Sequence, residues 1–227
     1  MLEAINLSKQ YGEQEALCQL NLSVSSGDLV CLLGANGAGK TTTINLFMGF
    51  IEASTGQVLV NGHDVAKAPA ASKKHLAYIP ENLHLYGNLS GLENLQFFAG
   101  LSSRKVYKDE ARQLLELAGL QASAFEVRVA KYSKGMRQKV GIAIAKAKQA
   151  DNLLLDEPTS GLDPQASNEF ARLLDNLREQ EAAILMATHD LFRAKASSTH
   201  IGIMKAGSMI HFLKTDDITL SELEHLY

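Results

Sequence analysis

Residues 29–50 read LVCLLGANGAGKTTTINLFMGF: an apolar run, a glycine-rich turn, then a segment of helical character. Gly34, Gly39, Lys40 and Thr41 stand there in the spacing G-x-x-x-x-G-K-T, directly after a predicted strand and directly before a predicted helix. Chance would place these four residues in that spacing in on the order of 1% of chains of this size, so an ordinary glycine turn is set aside. The physics is specific. Gly34, Gly37 and Gly39, with Ala35, Asn36 and Ala38 between them, let the backbone wrap a phosphate, and the free N–H groups of the helix start lie at the positive end of its dipole. Lys40 is expected to neutralise the β and γ oxygens of a nucleotide. Thr41 is expected to offer its hydroxyl to Mg2+, an ion that keeps several waters and needs few protein oxygens. Thr42 either reaches the α-phosphate or is an ordinary helix residue.

A loop of this kind calls for an acid at the end of another strand. The run NLLLDEP supplies Asp156, expected to hold the metal through water, and Glu157, expected to orient and deprotonate an attacking water. His189 follows the apolar run ILMAT, at the carboxyl end of a strand, where ligands of open parallel sheets bind. There it reads as a γ-phosphate contact.

The rest of the chain sets these segments in order. Short apolar runs at LEAINL, LNLSVS, DLVCLLG, GQVLVNG, HLAYIP, DNLLLDE, AAILMATH and HIGIMKAG read as strands. Those at 29–33, 153–155 and 184–187 hardly alternate, as expected of parallel strands covered on both faces. The predicted fold is α/β, a mixed or parallel sheet core with an antiparallel N-terminal part. From Glu81 to residue 149 strand signals give way to helical ones, with a capping box at Ser90 and Glu93, so 81–149 reads as an inserted helical subdomain between core segments 1–80 and 150–227. Thr219 and Glu222 repeat the box before a short closing helix.

Composition narrows the partners. With 22 Lys and Arg against 25 Asp and Glu there is no global basic field, and no nucleic acid is expected. No run reaches the ~18 apolar residues of a membrane span, and MLEAINLSKQYG lacks a signal pattern, so a cytosolic location is expected. Cys18 and Cys31 show neither metal nor redox spacing and read as packing residues.

Together these motifs resemble the nucleotide-binding subunit of ABC transporters, in the right order along nearly the whole chain. The resemblance implies ATP as substrate, Gly34–Thr41 as the phosphate loop, Asp156 and Glu157 as the Walker B acid and catalytic glutamate, and His189 as the switch histidine. It also implies a D-loop, SGLD, ending at Asp163, and Tyr11 stacking on adenine. The signature sequence of the family, commonly LSGGQ, is matched by YSKGM at 132–136, with Ser133 and Gly135 kept. Ser133 and the N–H groups after it then form a second anion cradle, for the γ-phosphate of a second copy of the chain, in a head-to-tail dimer. Lys131, Lys134, Arg137 and Lys139 make this stretch basic, either as a solvated helix face or as part of the cradle.

Glu81 stands where many members carry a metal-sensing glutamine and is expected to reach the Mg2+ shell. Glu at that position together with a YSKGM signature is similar to exporter subunits, which tilts the reading towards export. The family's membrane permease would dock near residues 82–100, with Tyr86 and Leu89 in a turn at Gly87 and Asn88 as contacts, while Phe97 and Phe98 read as filling the subdomain's own core. The subunit would sit on the cytoplasmic face of the membrane. The competing readings are a soluble ABC-type ATPase acting on a macromolecule and an unrelated P-loop kinase or GTPase. The first predicts a second such domain or a coiled-coil insertion, and the second lacks the N-K-x-D guanine motif here.

Overall fold

The computed structural model describes residues 1–102 and 104–227. Three unalternating apolar runs become fully or almost fully buried strands, β3 (Leu29–Leu33), β7 (Asn152–Asp156) and β8 (Ala183–Thr188). They lie parallel, with Leu33 opposite Thr188 and Asp156 opposite Ala187. That register brings three carboxyl ends side by side, and Gly34, Glu157 and His189 are the residues that leave them. β9 (His200–Lys205) adds a further parallel strand beside β3, and β10 (Ser208–Lys214) returns antiparallel to it. With β6 (Leu76–Ile79), which follows the short helix α2 (Pro69–Lys74), the six-stranded order is β10-β9-β3-β8-β7-β6.

A second sheet is antiparallel, in the order β2-β1-β4-β5, from β1 (Leu2–Tyr11), β2 (Gln14–Val24), β4 (Thr55–Val60) and the two-residue β5 (His63–Asp64). Its inward residues Leu2, Leu7, Leu17, Leu20, Val58 and Val60 belong to one core cluster with Ile44, Leu46 and Phe47 of α1 (Lys40–Phe47). Burial of this apolar surface holds the helix that the glycine loop starts. Neither β5 nor β10 was read from the sequence: β5 is only two residues long, and β10 is an edge strand with most side chains half or fully exposed.

Residues 1–78, 151–157 and 177–227 form one compact unit, and 79–150 with 158–176 form another. The second takes in 158–176, a stretch that sequence reading put with the α/β part. In it α3 (Gly91–Leu101), α4 (Lys108–Leu117) and α5 (Lys134–Lys148) pack on one another. The Ser90–Glu93 box closes the start of α3: Ser90 Oγ accepts from Glu93 N at 3.2 Å and Glu93 Oε2 from Ser90 N at 2.8 Å. Leu92, Leu95 and Ala99 form the buried stripe of α3, whereas Phe97 stands off it and is 41% exposed. Phe97 therefore does not fill the core, contrary to expectation. It packs edge-on against Tyr86 at 4.8 Å, beside the turn in which Leu89 N donates to the Tyr86 carbonyl.

Candidate functional site

The 34–41 loop gets its shape from the backbone. A Cβ on Gly34 would stand 2.5 Å from the Met204 carbonyl oxygen and 2.9 Å from Ala38 Cβ, so no side chain fits there. Gly37 and Gly39 have φ of +83° and +104°, in the region that favours glycine, and Gly39 caps α1 with no side-chain hydrogen bond. Lys40 is buried, and its Nζ arches back to donate to the carbonyl oxygens of Gly34 at 2.6 Å and Ala35 at 3.1 Å. Two of its three donors thus hold the loop, with the cation against the carbonyls that open it. Ala35, Asn36 and Gly37 are exposed at the crest, and Ala38 is buried beneath it. Thr43 Oγ1 donates to the Gly39 carbonyl and steadies the first turn, while Thr42 is half-buried.

At the neighbouring strand ends the acids take separate positions. Asp156 Oδ1 accepts from exposed Thr41 Oγ1 at 3.4 Å, which puts two hard oxygen donors within reach of one small cation. Glu157 turns away from the strand with φ of 47°, its N–H donating to the Ala187 carbonyl. Its side chain, 15% exposed, is held on both oxygens: Thr188 Oγ1 donates to Oε2 at 2.9 Å, and His189 Nδ1 lies 2.8 Å from Oε1. An ionised carboxylate only accepts, so this contact places the imidazole proton on Nδ1. Beneath the site, burial drives the Cys31 thiol far above its ordinary range, with the Glu157 charge adding to the effect, and Cys31 stays a neutral packing group. Tyr78 is likewise raised, by burial first and then by the Asp156 charge.

Tyr11 ends β1 at a tight turn and is about half exposed, with Lys9 Nζ 4.8 Å from the ring centroid. The strand leaving that turn runs close to the loop, since a Cβ on Gly39 would meet the Ala16 carbonyl at 2.9 Å.

The remaining predicted residues belong to the second unit. Ser133 caps α5, its Oγ accepting from Met136 N at 3.2 Å, and Gly135 lies in the first turn. Tyr132 is buried, its hydroxyl donating to the Ala124 carbonyl at 2.6 Å; a Cβ on Gly91 would overlap that hydroxyl. Asp163 caps α6 (Pro164–Glu179) by accepting from Ala166 N at 2.8 Å. Glu81 Oε1 accepts from Ser160 Oγ at 2.8 Å and lies 3.8 Å from Lys134 Nζ. Thr188 was missed from sequence, though it is a hydroxyl next to His189, while Ser160 was read only as the first residue of the SGLD stretch, with no partner of its own. Among the described residues, no helix is long and apolar enough to cross a membrane.

Residues 17–160, more than half of the chain, match the family described as ABC transporter. The bacitracin transport ATP-binding protein BcrA of Bacillus licheniformis is 34% identical over 228 residues, covering 100% of this chain and 74% of that protein. A solved ATP-binding subunit of an ABC transporter is 32% identical, with a TM-score of 0.87 over 100% of this chain and 98% of that one. The dimeric structure of MJ0796, a bacterial ABC transporter cassette, is 25% identical, with a TM-score of 0.81 over 95% of this chain and 99% of that one.

Proposed function

The chain belongs to the ABC transporter family as an ATP-hydrolysing subunit, and from that premise we propose how its own residues bind ATP, cleave it and pass the change to a membrane partner. The observation that carries the reading is the double grip on Glu157 by Thr188 and His189, at the strand ends where the Gly34 loop begins. A base must be aimed before it is useful, and two hydrogen bonds fix both oxygens of this one.

Lys40 and the N–H groups of the loop hold the β- and γ-phosphates, and Tyr11 offers a ring face to the adenine. Thr41 and Asp156 fit Mg2+, as hard oxygens 3.4 Å apart. When bound, the ion neutralises phosphate charge. Glu157 takes the proton of the attacking water, and His189 contacts the γ-phosphate. Ser133, Gly135 and Asp163 act on the nucleotide of a second copy in a head-to-tail dimer, a reading supported by the dimeric cassette to which the chain is similar. Glu81 and the exposed Tyr86 face a separate permease, on the cytoplasmic side of a membrane. The YSKGM signature with Glu81 favours export.

Glu157→Gln keeps size and hydrogen bonding but loses the base, so Mg2+ and ATP should convert the chain into a stable, non-hydrolysing dimer visible by light scattering. Adding Ser133→Arg should abolish that dimer while ATP still binds the single chain. A double variant that dimerised as well as Glu157→Gln would refute the role of Ser133 across the dimer.

A further inference from the structure

One stripe of α5 grips the segment that follows β6. Lys134, Gln138 and Gly141 recur at i, i+4 and i+7, on one face of the helix. Each meets residues 79–83 by a different means. Lys134 Nζ lies 3.8 Å from Glu81 Oε1, and Gln138 Nε2 reaches the carbonyl oxygens of Pro80 and Glu81 at 3.4 and 3.5 Å. Gly141 lies so close that a Cβ there would stand 2.8 Å from Leu83 Cδ2. Ser160 donates to the same Glu81 oxygen at 2.8 Å, and a Cβ on the next residue, Gly161, would be 4.0 Å from Lys134 Nζ.

The charges explain why this grip includes an ion pair. The first turn of α5 carries no acidic residue, and Lys134 adds a cation at the positive end of the helix dipole. Glu81 supplies the missing carboxylate from a distant part of the sequence. Its oxygen is fixed by Ser160, so the negative charge stands at one place beside the start of α5.

We propose that Glu81 and Lys134 are a counter-ion pair within one chain, anchored by Ser160, that sets how strongly the start of α5 attracts an anion presented by a second copy. The inference rests on the reading of Ser133 as the anion cradle of the dimer. Glu81 then works through Lys134 as a positioning residue, and the basic signature does not act at full charge. Its sign separates it from a metal-ligand role for Glu81: loss of a ligand weakens ATP-driven closure, whereas loss of the counter-ion strengthens it.

The test uses the full chain carrying Glu157→Gln, with Mg2+, and reads by light scattering the ATP concentration that gives half-maximal dimer. Glu81→Gln should lower that concentration about threefold and Lys134→Gln should raise it about threefold, both shifts collapsing in 1 M salt. Lys134→Arg should match the parent. In the nucleotide-free chain each neutralising substitution should lower Tm by about 1–2 °C, with the double variant no lower than the worse single. Additive Tm losses overturn the pair. A dimer weakened or unchanged by Glu81→Gln overturns the role assigned to it, and Tm keeps that result apart from misfolding. If Glu157→Gln itself fails to dimerise, the cradle reading falls and takes this inference with it.

Discussion

The helices α1 and α5 each begin with a glycine-bearing turn, and they are built by opposite means. α1 starts from a loop whose form is all backbone: left-handed glycines, no side-chain cap, and a lysine folded back on its carbonyl oxygens. α5 starts from a side chain, the Ser133 hydroxyl on Met136 N, with its lysine turned aside to Glu81. Both are helix starts, where first-turn N–H groups favour an anion. The first, however, holds its cation against the loop itself, whereas the second has its cation offset by a carboxylate. A self-contained cradle suits a ligand that the chain must hold alone, and a charge-balanced one suits a ligand that it should meet only when another subunit brings it.

The largest effect that can break this contrast is at Lys40. Lys40→Ala should lower ATP turnover by about 10²–10³-fold or more while the fold persists, since the charge-stabilising donor of the phosphate loop is lost. Steady-state phosphate release at the wild-type rate would show that the first cradle does not depend on its own cation. Next come the two glycines. Gly34→Ala forces a methyl group to 2.5 Å from the Met204 carbonyl, an overpacking of about 1–3 kcal/mol, and should weaken ATP binding by roughly tenfold in calorimetry. Gly135→Ala meets Ala166 Cβ at 3.4 Å, an ordinary contact, and should leave ATP binding to the single chain unchanged. Equal effects at the two positions would erase the distinction between a backbone-built and a side-chain-built cradle. The smallest effect is at the cap: Ser133→Ala should cost about 1 kcal/mol, or about 2–4 °C in Tm, with Ser133→Asn recovering most of it.

What the sequence made legible was mostly local. The spacing from Gly34 to Thr41 is contiguous, and Asp156, Glu157 and His189 each follow an unalternating apolar run, so their place at strand ends could be read without knowing the strand order. The Glu157–Thr188 contact could not, because it depends on the parallel register of β7 and β8. Lys134 reads from the sequence as a solvated helix face or as part of the cradle, with no sign of its neighbour; Glu81 lies far away in sequence, and only the packing of α5 on the 79–83 segment joins them. Phe97 was misplaced for a different reason. The stripe of Leu92, Leu95 and Ala99 was already there to be counted, and Phe97 falls outside it.

The backbone at Glu157 has a consequence for anyone who tries to improve this protein. A non-glycine residue at φ of 47° carries a standing strain of about 1–2 kcal/mol, which glycine would relieve and asparagine would reduce. A library screened for heat resistance alone should therefore enrich Glu157→Gly and Glu157→Asn, and both would lack the carboxylate that Thr188 and His189 hold. The sturdier chain would be the idle one, so selection at this position has to score turnover together with survival.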